Sequence, residues 1–411
     1  MTLWKISIQN IKTKPLYTLL SVFILGLSIA LLLGIQQLKS SFKYQMENNL
    51  GDIDLVVGAK GSPLQLVLSS VLHLDNPTGN ISYKEAKKIG SNRLVKRAIP
   101  ISYGDNYKGY RIVGSTQEFA TIYNAEIAKG RAVEKSMEVV LGHSVATKLQ
   151  LNIGDTFQSS HGLVDNDIEV HDVDLTVVGI YKPTQKVIDR LIVTNLESIW
   201  DAHDHDHEET EEHAHEDHEG HDHEHEDHEA KEITSLLVSF RTPTGLLMVP
   251  RNINENTNMQ AALPKYELDK LYEYTGVGFK TISWIAYIIL IISSIIIFIS
   301  LYKIVKERSF DLALMRVYGA NNFQLIRIIT YEGLIIGCTA FVLGIGLTKI
   351  GLYFMVHSVE TGNSQKILQN LAFHEFFQVG MLVLGMIVVA ILLAIYPITK
   401  MNISTILSNE K

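Results

Sequence analysis

Residues 15–38 read PLYTLLSVFILGLSIALLLGIQQL, a run without one charged side chain. A helix rises 1.5 Å per residue, so about 20 such residues cross a hydrocarbon core of ~30 Å. Two more uncharged runs, 282–302 and 376–399, reach that length, and a fourth, 333–356, is interrupted only by Lys349. Lys5, Lys12 and Lys14 precede the first run, as they would precede a secretory leader. Its apolar core is too long for a leader and no small-residue cleavage site closes it, so it reads as a retained anchor.

Basic residues orient the spans. The N-terminal 1–14 carries three Lys, 303–332 carries Lys303, Lys306, Arg308, Arg316 and Arg327, and 400–411 carries Lys400 and Lys411. The segment 357–375 has only Lys366. Both termini and 303–332 are therefore expected in the cytoplasm, with 39–281 and 357–375 outside it. Lys349 then falls near the outer end of its span, where a long side chain snorkels to the interface. The expected fold class is an α-helical membrane protein of four transmembrane helices, with a mixed α/β extracytoplasmic domain inserted between helices 1 and 2.

Within 39–281, residues 36–50 and 266–280 continue the helical pattern of the adjoining spans and read as stalk helices. VVGAKGSP (56–63) reads as a strand and tight turn, and YKEAKKIGSNRL (83–94) as an amphipathic helix. YKGYRIVGS, MEVVLG, DLTVVGIY and RLIVTN read as short strands, HSVATKLQL as a helix, and EITSLLVSF (232–240) as one further strand.

Between them lies DAHDHDHEETEEHAHEDHEGHDHEHEDHEA (201–230), with ten of the sixteen histidines, fifteen acidic residues and neither Lys nor Arg. It has nothing larger than alanine to bury, so it reads as a disordered loop on a folded domain. The formal charge of −8 comes from this stretch; without it 29 acids face 36 Lys and Arg, about +7. That excess suits a membrane protein with a basic cytoplasmic face, and nothing marks a nucleic-acid surface. The single Cys338 excludes an intramolecular disulfide and a Cys-based zinc site.

Neutral imidazoles at this density are ligands for borderline metals such as Zn²⁺. The candidates are His203, His205, His207, His213, His215, His218, His221, His223, His225 and His228. A flexible chain offers many equivalent arrangements, and ordering it costs entropy, so loosely held, exchangeable zinc is expected. A solvated acidic linker is the plainer reading of the same composition. His161 and His171, with Asp165, Asp167, Glu169 and Asp172 nearby, read as a polar hairpin before they read as a second metal site. His73 follows an apolar run and, like His143, His357 and His374, reads as structural. No catalytic arrangement of side chains stands out.

The loop KIVKERSFDLALMRVYGANNFQLIRIITYEG (303–333) holds a short helix with an apolar stripe of Leu312, Met315, Val317 and Tyr318, broken by GANN before a second helix enters the third span. Its residues resemble the signature of the FtsX-like permeases, the family that includes the MacB and LolC/LolE types. WKISIQNIKTKPLYTLLSVFILGLSIALLLGI resembles that family's first helix and basic approach, and LLAIYPITKMNISTIL its last helix. IVGSTQEFATIYNAEIAKGRAVEKSMEVVLGHSVATKLQLNIGDTF, with LTVVGIYKPTQKVIDRLIVTNLESIW, is similar to its periplasmic core domain. The His-rich insertion is not a general feature of the family.

The resemblance implies a bacterial inner-membrane permease that pairs as a homo- or heterodimer and binds two copies of a separate ATPase. ATP would reside on that partner, in keeping with the lack of a G-x-x-x-x-G-K-[ST] loop here. It also implies that Glu307, Arg308, Leu312, Met315, Arg316 and Gly319 serve ATPase coupling; the basic membrane edge is the plainer reading of Glu307 and Arg308, but their place in the matching motif favours contact. The expected activity is mechanotransmission linked to zinc or another divalent metal, with a periplasmic metal-binding protein as partner. Lipoprotein or peptide extrusion, and a transmembrane signal relay, remain as alternatives.

Overall fold

A computed structural model describes residues 3–13, 15–160, 170–202, 231–358 and 373–399. The chain divides into two units, one helical and one α/β.

The helical unit is built from α1 (Leu3–Thr13), most of α2 (Pro15–Leu50) and of α9 (Pro264–Glu307), α10 (Ser309–Val317), α11 (Asn322–Ser358) and α12 (Phe373–Thr399). Four of them, α2, α9, α11 and α12, are long and apolar enough to cross a membrane. Their inward residues recur at helical spacing: Leu25, Ile29 and Leu33 on α2, Leu290, Ile297 and Leu301 on α9, Ile329, Ile336 and Ala340 on α11, and Val383, Ile387 and Ile391 on α12. In lipid there is no hydrophobic drive between helices, so close packing and shared polar contacts hold the bundle. A Cβ at Gly344 would lie 2.8 Å from Ile29 and 3.0 Å from the Gly26 carbonyl, so α2 and α11 touch at a small-residue seam. Ser28 and Ser293 share a hydrogen bond of 2.6 Å between α2 and α9. At 36 and 44 residues, α2 and α9 measure about 54 and 66 Å, well beyond one bilayer core. The polar extensions read from the sequence are thus unbroken helix. Lys349 is exposed.

The α/β unit holds β1 (Leu55–Ala59), α3 (Pro63–Ser70), β2 (Ile81–Ser82), α4 (Tyr83–Gly90), β3 (Val95–Tyr107), β4 (Tyr110–Ser115), α5 (Glu118–Ile122), β5 (Ile127–Gly130), β6 (Glu138–Leu141), α6 (His143–Leu149), β7 (Thr156–Ser160), β8 (Val170–Tyr181), β9 (Ile192–Thr194), α7 (described over 196–202), β10 (Glu232–Ile233), β11 (Ser235–Phe240), α8 (Pro243–Asn256) and β12 (Met259–Ala262). Its main sheet runs β12-β1-β11-β3-β4-β9-β6-β8-β5, with β7 paired to β3 and β8. Most pairs are antiparallel; β4 with β9 and β6 with β8 are parallel. Among the apolar clusters along it are two that bring in helices. One gathers Leu55, Val57, Leu236 and Val238 with Ala86 of α4 and Val249 and Ile253 of α8; the other gathers Ile112, Val139, Leu141 and Val177 with Val145 of α6.

Two strand expectations are corrected. YKGYRIVGS is the end of β3, a turn at Lys108 and Gly109 with φ +47° and +79°, and then β4. EITSLLVSF is two strands in two sheets, since β10 pairs with β2 whereas β11 joins the main sheet. The break is at Thr234, whose N–H bonds the Ile101 carbonyl (2.9 Å) and whose Oγ1 accepts the Tyr103 N–H (3.0 Å). An alternation of apolar residues survives such a change of partner, so the pattern alone does not reveal it.

Candidate functional site

Short α10 hangs between two long helices. Glu307 ends α9, Arg308 occupies the N-cap position of α10, and Gly319 closes it with φ +95°. That left-handed turn is the conformation glycine adopts without a Cβ penalty. It lets α11 begin three residues later, at Asn322.

Of the apolar stripe expected here, only part is one face. Leu312 is buried and Met315 packs on the helical core, whereas Leu314, Val317 and Tyr318 are exposed, Tyr318 at 83%. At 100° per residue, Val317 points about 140° away from Leu312. The helix is therefore held from behind and bare in front, with Phe323 of α11 also exposed at 65%. Arg316 is half-buried in the last turn of α10, where a cation favours the helix C-terminus. Glu307 lies 4.0 Å from Lys303 one turn earlier, an exposed pair of little energetic weight. Arg308 points inward, its Nη2 donating to the Asn10 carbonyl at 3.3 Å.

Behind α10 lies a contact that the residue pattern did not single out. Trp4, Ser7 and Asn10 stand at three-residue spacing on one face of α1, and each meets α11. Trp4 stacks edge-on to Tyr331 (5.5 Å), Ser7 Oγ donates to the Ile328 carbonyl (3.2 Å), and Asn10 Nδ2 donates to Glu332 Oε1 (2.7 Å). Glu332 is a carboxylate only 2% exposed. The one available signal was polar residues at helical spacing within an amphipathic segment.

The ten histidines from His203 to His228 lie outside the described residues, as do His161 and the acids Asp165, Asp167 and Glu169. Among the described residues no group of three or more His, Cys, Asp or Glu could hold a metal ion. The two ends of the His-rich stretch are nonetheless tied. Trp200 packs on Tyr83 (5.3 Å between centroids), donates its Nε1–H to the Glu232 carbonyl (2.8 Å), and receives the Lys231 ammonium over its ring (4.5 Å).

His73 has φ +53° and is buried. Its Nδ1 lies 2.6 Å from the Tyr103 hydroxyl, which donates its own proton to the Ser69 carbonyl. Nδ1 must then carry the hydrogen, leaving Nε2 a lone pair without a partner among the described residues. Burial, aided by Arg111 and Arg190, pushes the imidazole pKa down to about 3. Elsewhere in the unit Arg131 grips Glu138 through both oxygens (2.5 and 2.7 Å), and the Glu134 N–H adds a third bond. These hold the Glu138 carboxyl at about 2.

A family model described as the FtsX-like permease C-terminal matches residues 283–403, and one described as the MacB-like periplasmic core domain matches residues 18–224. Among solved structures, the periplasmic region of MacB from Actinobacillus actinomycetemcomitans is similar at 8% identity and TM-score 0.33, over 55% of this chain and 97% of that one. The extracellular domain of the noncanonic ABC-type transporter YknZ from Gram-positive bacteria is similar at 11% identity and TM-score 0.29, over 51% and 98%. No curated protein matches.

Proposed function

This chain belongs to the MacB/FtsX-type family of ABC permeases, multi-pass transporter subunits of the bacterial inner membrane and not enzymes, and on that footing we propose that it is the membrane half of a mechanotransmission complex driven by a separate ATPase. Permeases of this family work with a cytoplasmic ABC ATPase and often dimerise. In this reading both termini and 303–332 face the cytoplasm, as their basic residues favour. A second permease copy completes the pair, and two ATPase copies, each holding ATP, engage one α10 apiece.

The observation that carries the coupling role is the division of α10 into an anchored face and a bare one. Leu312, Ala313 and Met315 anchor it, while Leu314, Val317 and Tyr318 stand exposed. An exposed aliphatic and aromatic face on a short, well-held helix is what a partner's groove grips. Arg316 and Gly319 shape its end, and Glu307 and Arg308 its start. The double substitution Val317→Asp with Tyr318→Asp is expected to weaken co-purification of the ATPase at least roughly tenfold while the chain stays in the membrane. Undiminished recovery of the ATPase with that variant would overturn the assignment of this face.

The cargo or signal is a divalent metal, zinc above all, collected by the His-rich stretch. The donor set supports this, since imidazole and carboxylate are zinc ligands. Because Trp200 bonds Glu232 across the two flanks, a chain lacking residues 203–228 is expected to keep the domain folded. That deletion is expected to abolish most zinc binding by the purified chain in equilibrium dialysis, and to slow growth only when zinc is scarce. Unchanged binding and unchanged zinc-limited growth would remove the metal from the proposal.

A further inference from the structure

A carboxylate that is almost wholly buried must be compensated by partners, or the charge is too costly to keep. Glu332 has two, and both come from other segments. Asn10 of α1 donates to Oε1 at 2.7 Å, and Arg308, the residue that starts α10, interacts with the carboxylate electrostatically. Arg308 also donates to the main-chain oxygen of Asn10 at 3.3 Å. Three segments thus meet at one buried group: the N-terminal helix, the start of α10, and the third turn of α11. Ser7 and Trp4 extend the seam along Ile328 and Tyr331.

Covalent connection gives this knot a consequence. One residue separates the end of α1 at Thr13 from the start of α2 at Pro15, and α2 runs unbroken to Leu50, inside the α/β unit. We propose that Glu332 is a positioning residue that makes α1 travel with α10, so that a push on α10 reaches α2 through α1 as well as through the helices on either side of the loop. Neutral polar seams elsewhere in the bundle, such as Ser28 with Ser293, use single hydroxyls. The Glu332 carboxyl sits where α1, α10 and α11 meet, which is where load would concentrate. The proposal rests on α10 being the ATPase contact.

The test uses the full chain in lipid nanodiscs with the ATPase that co-purifies with it, comparing wild type with Glu332→Ala, Glu332→Gln and Asn10→Ala. Two quantities are read: the ATPase affinity and the permease-stimulated turnover. Spin labels at Gln9→Cys and Asp311→Cys, in a Cys338→Ser background, report the distance between α1 and α10. Glu332→Ala and Asn10→Ala are expected to keep the affinity, lower stimulated turnover roughly 10- to 100-fold, the loss of one charge-assisted hydrogen bond, and broaden the α1–α10 distance distribution. Glu332→Gln keeps an acceptor for Asn10 and is expected to restore most of the narrow distribution. Asn10→Ala touches only an eleven-residue helix at the edge of the bundle, so it serves if Glu332→Ala does not fold. Wild-type turnover and distances in Asn10→Ala and Glu332→Ala overturn this inference alone. Failure of the wild type to bind any ATPase overturns the coupling assignment beneath it.

Discussion

Valine in place of Gly130 is expected to unfold the α/β domain. Gly130 lies at the end of β5 with φ +78°, opposite Gly179 of β8, and a Cβ there would stand 2.1 Å from the Val178 carbonyl oxygen and 3.0 Å from the Gly179 Cα. Those are backbone atoms in a sheet and cannot step aside as a side-chain tip could. The left-handed conformation alone costs about 1–2 kcal/mol for an L residue, and forcing the strands apart takes the total beyond roughly 4 kcal/mol, in the range of the most damaging single changes. Gly109 is the control, with φ +79° and nothing within 4 Å of its missing Cβ. Gly109→Ala should lose only about 1–2 kcal/mol. Limited proteolysis of the full chain in membranes separates the two: rapid cleavage within 51–262 for Gly130→Val, and near wild-type protection for Gly109→Ala. Equal protection of both would mean that β5 does not pair with β8 in this register.

Acid is expected to destabilise the same domain in a window set by His73. Folding buries the imidazole beside Arg111 and Arg190 and lowers its pKa from 6.5 to about 3. The unfolded chain therefore takes up the proton first, and stability falls as pH drops from 6.5 toward 3. It is complete above 6.5, and the full span corresponds to about 5 kcal/mol as an order of magnitude. The Glu138 carboxyl, held at about 2 by Arg131, acts in the same direction but only below 4.5, so the interval from 4.5 to 6.5 isolates the histidine. His73→Asn tests this. Asparagine tolerates positive φ and offers an N–H to Tyr103 in place of Nδ1–H, yet takes up no proton. Denaturant midpoints of the variant should be nearly flat between pH 4.5 and 6.5, where the wild type slopes. Identical slopes would show that His73 is not the group responsible.

Much of this protein is legible along the chain because some segments have only one low-energy option. A run such as 282–302 has no charge and satisfies its backbone only as a helix in lipid. GANN after MRVY stops α10 because Gly319 supplies a left-handed turn. The strands MEVVLG and DLTVVGIY carry their β-branched residues with them, and β6 and β8 form there. Where a residue's role depends on what faces it, the chain says less. Val317 and Leu312 are both apolar and five residues apart, and only packing makes one an anchor and the other a contact surface. EITSLLVSF looks like one strand until Ile101 and Tyr103 claim Thr234.

What the amino-acid sequence determined by itself is the membrane plan: four spanning helices, a long insertion between the first two, and a His-rich acidic stretch that cannot build a core. Each follows from local composition, since transfer of about 20 apolar residues into lipid, or the lack of anything to bury, is settled within the segment. The tertiary structure alone decided the sheet order, the two faces of α10, and the burial of His73 and of the Glu332 carboxyl. These are properties of surroundings assembled from residues far apart in the chain, Asn10 with Glu332 and His73 with Tyr103 and Arg111. A burial penalty or a hydrogen bond does not exist until those residues meet.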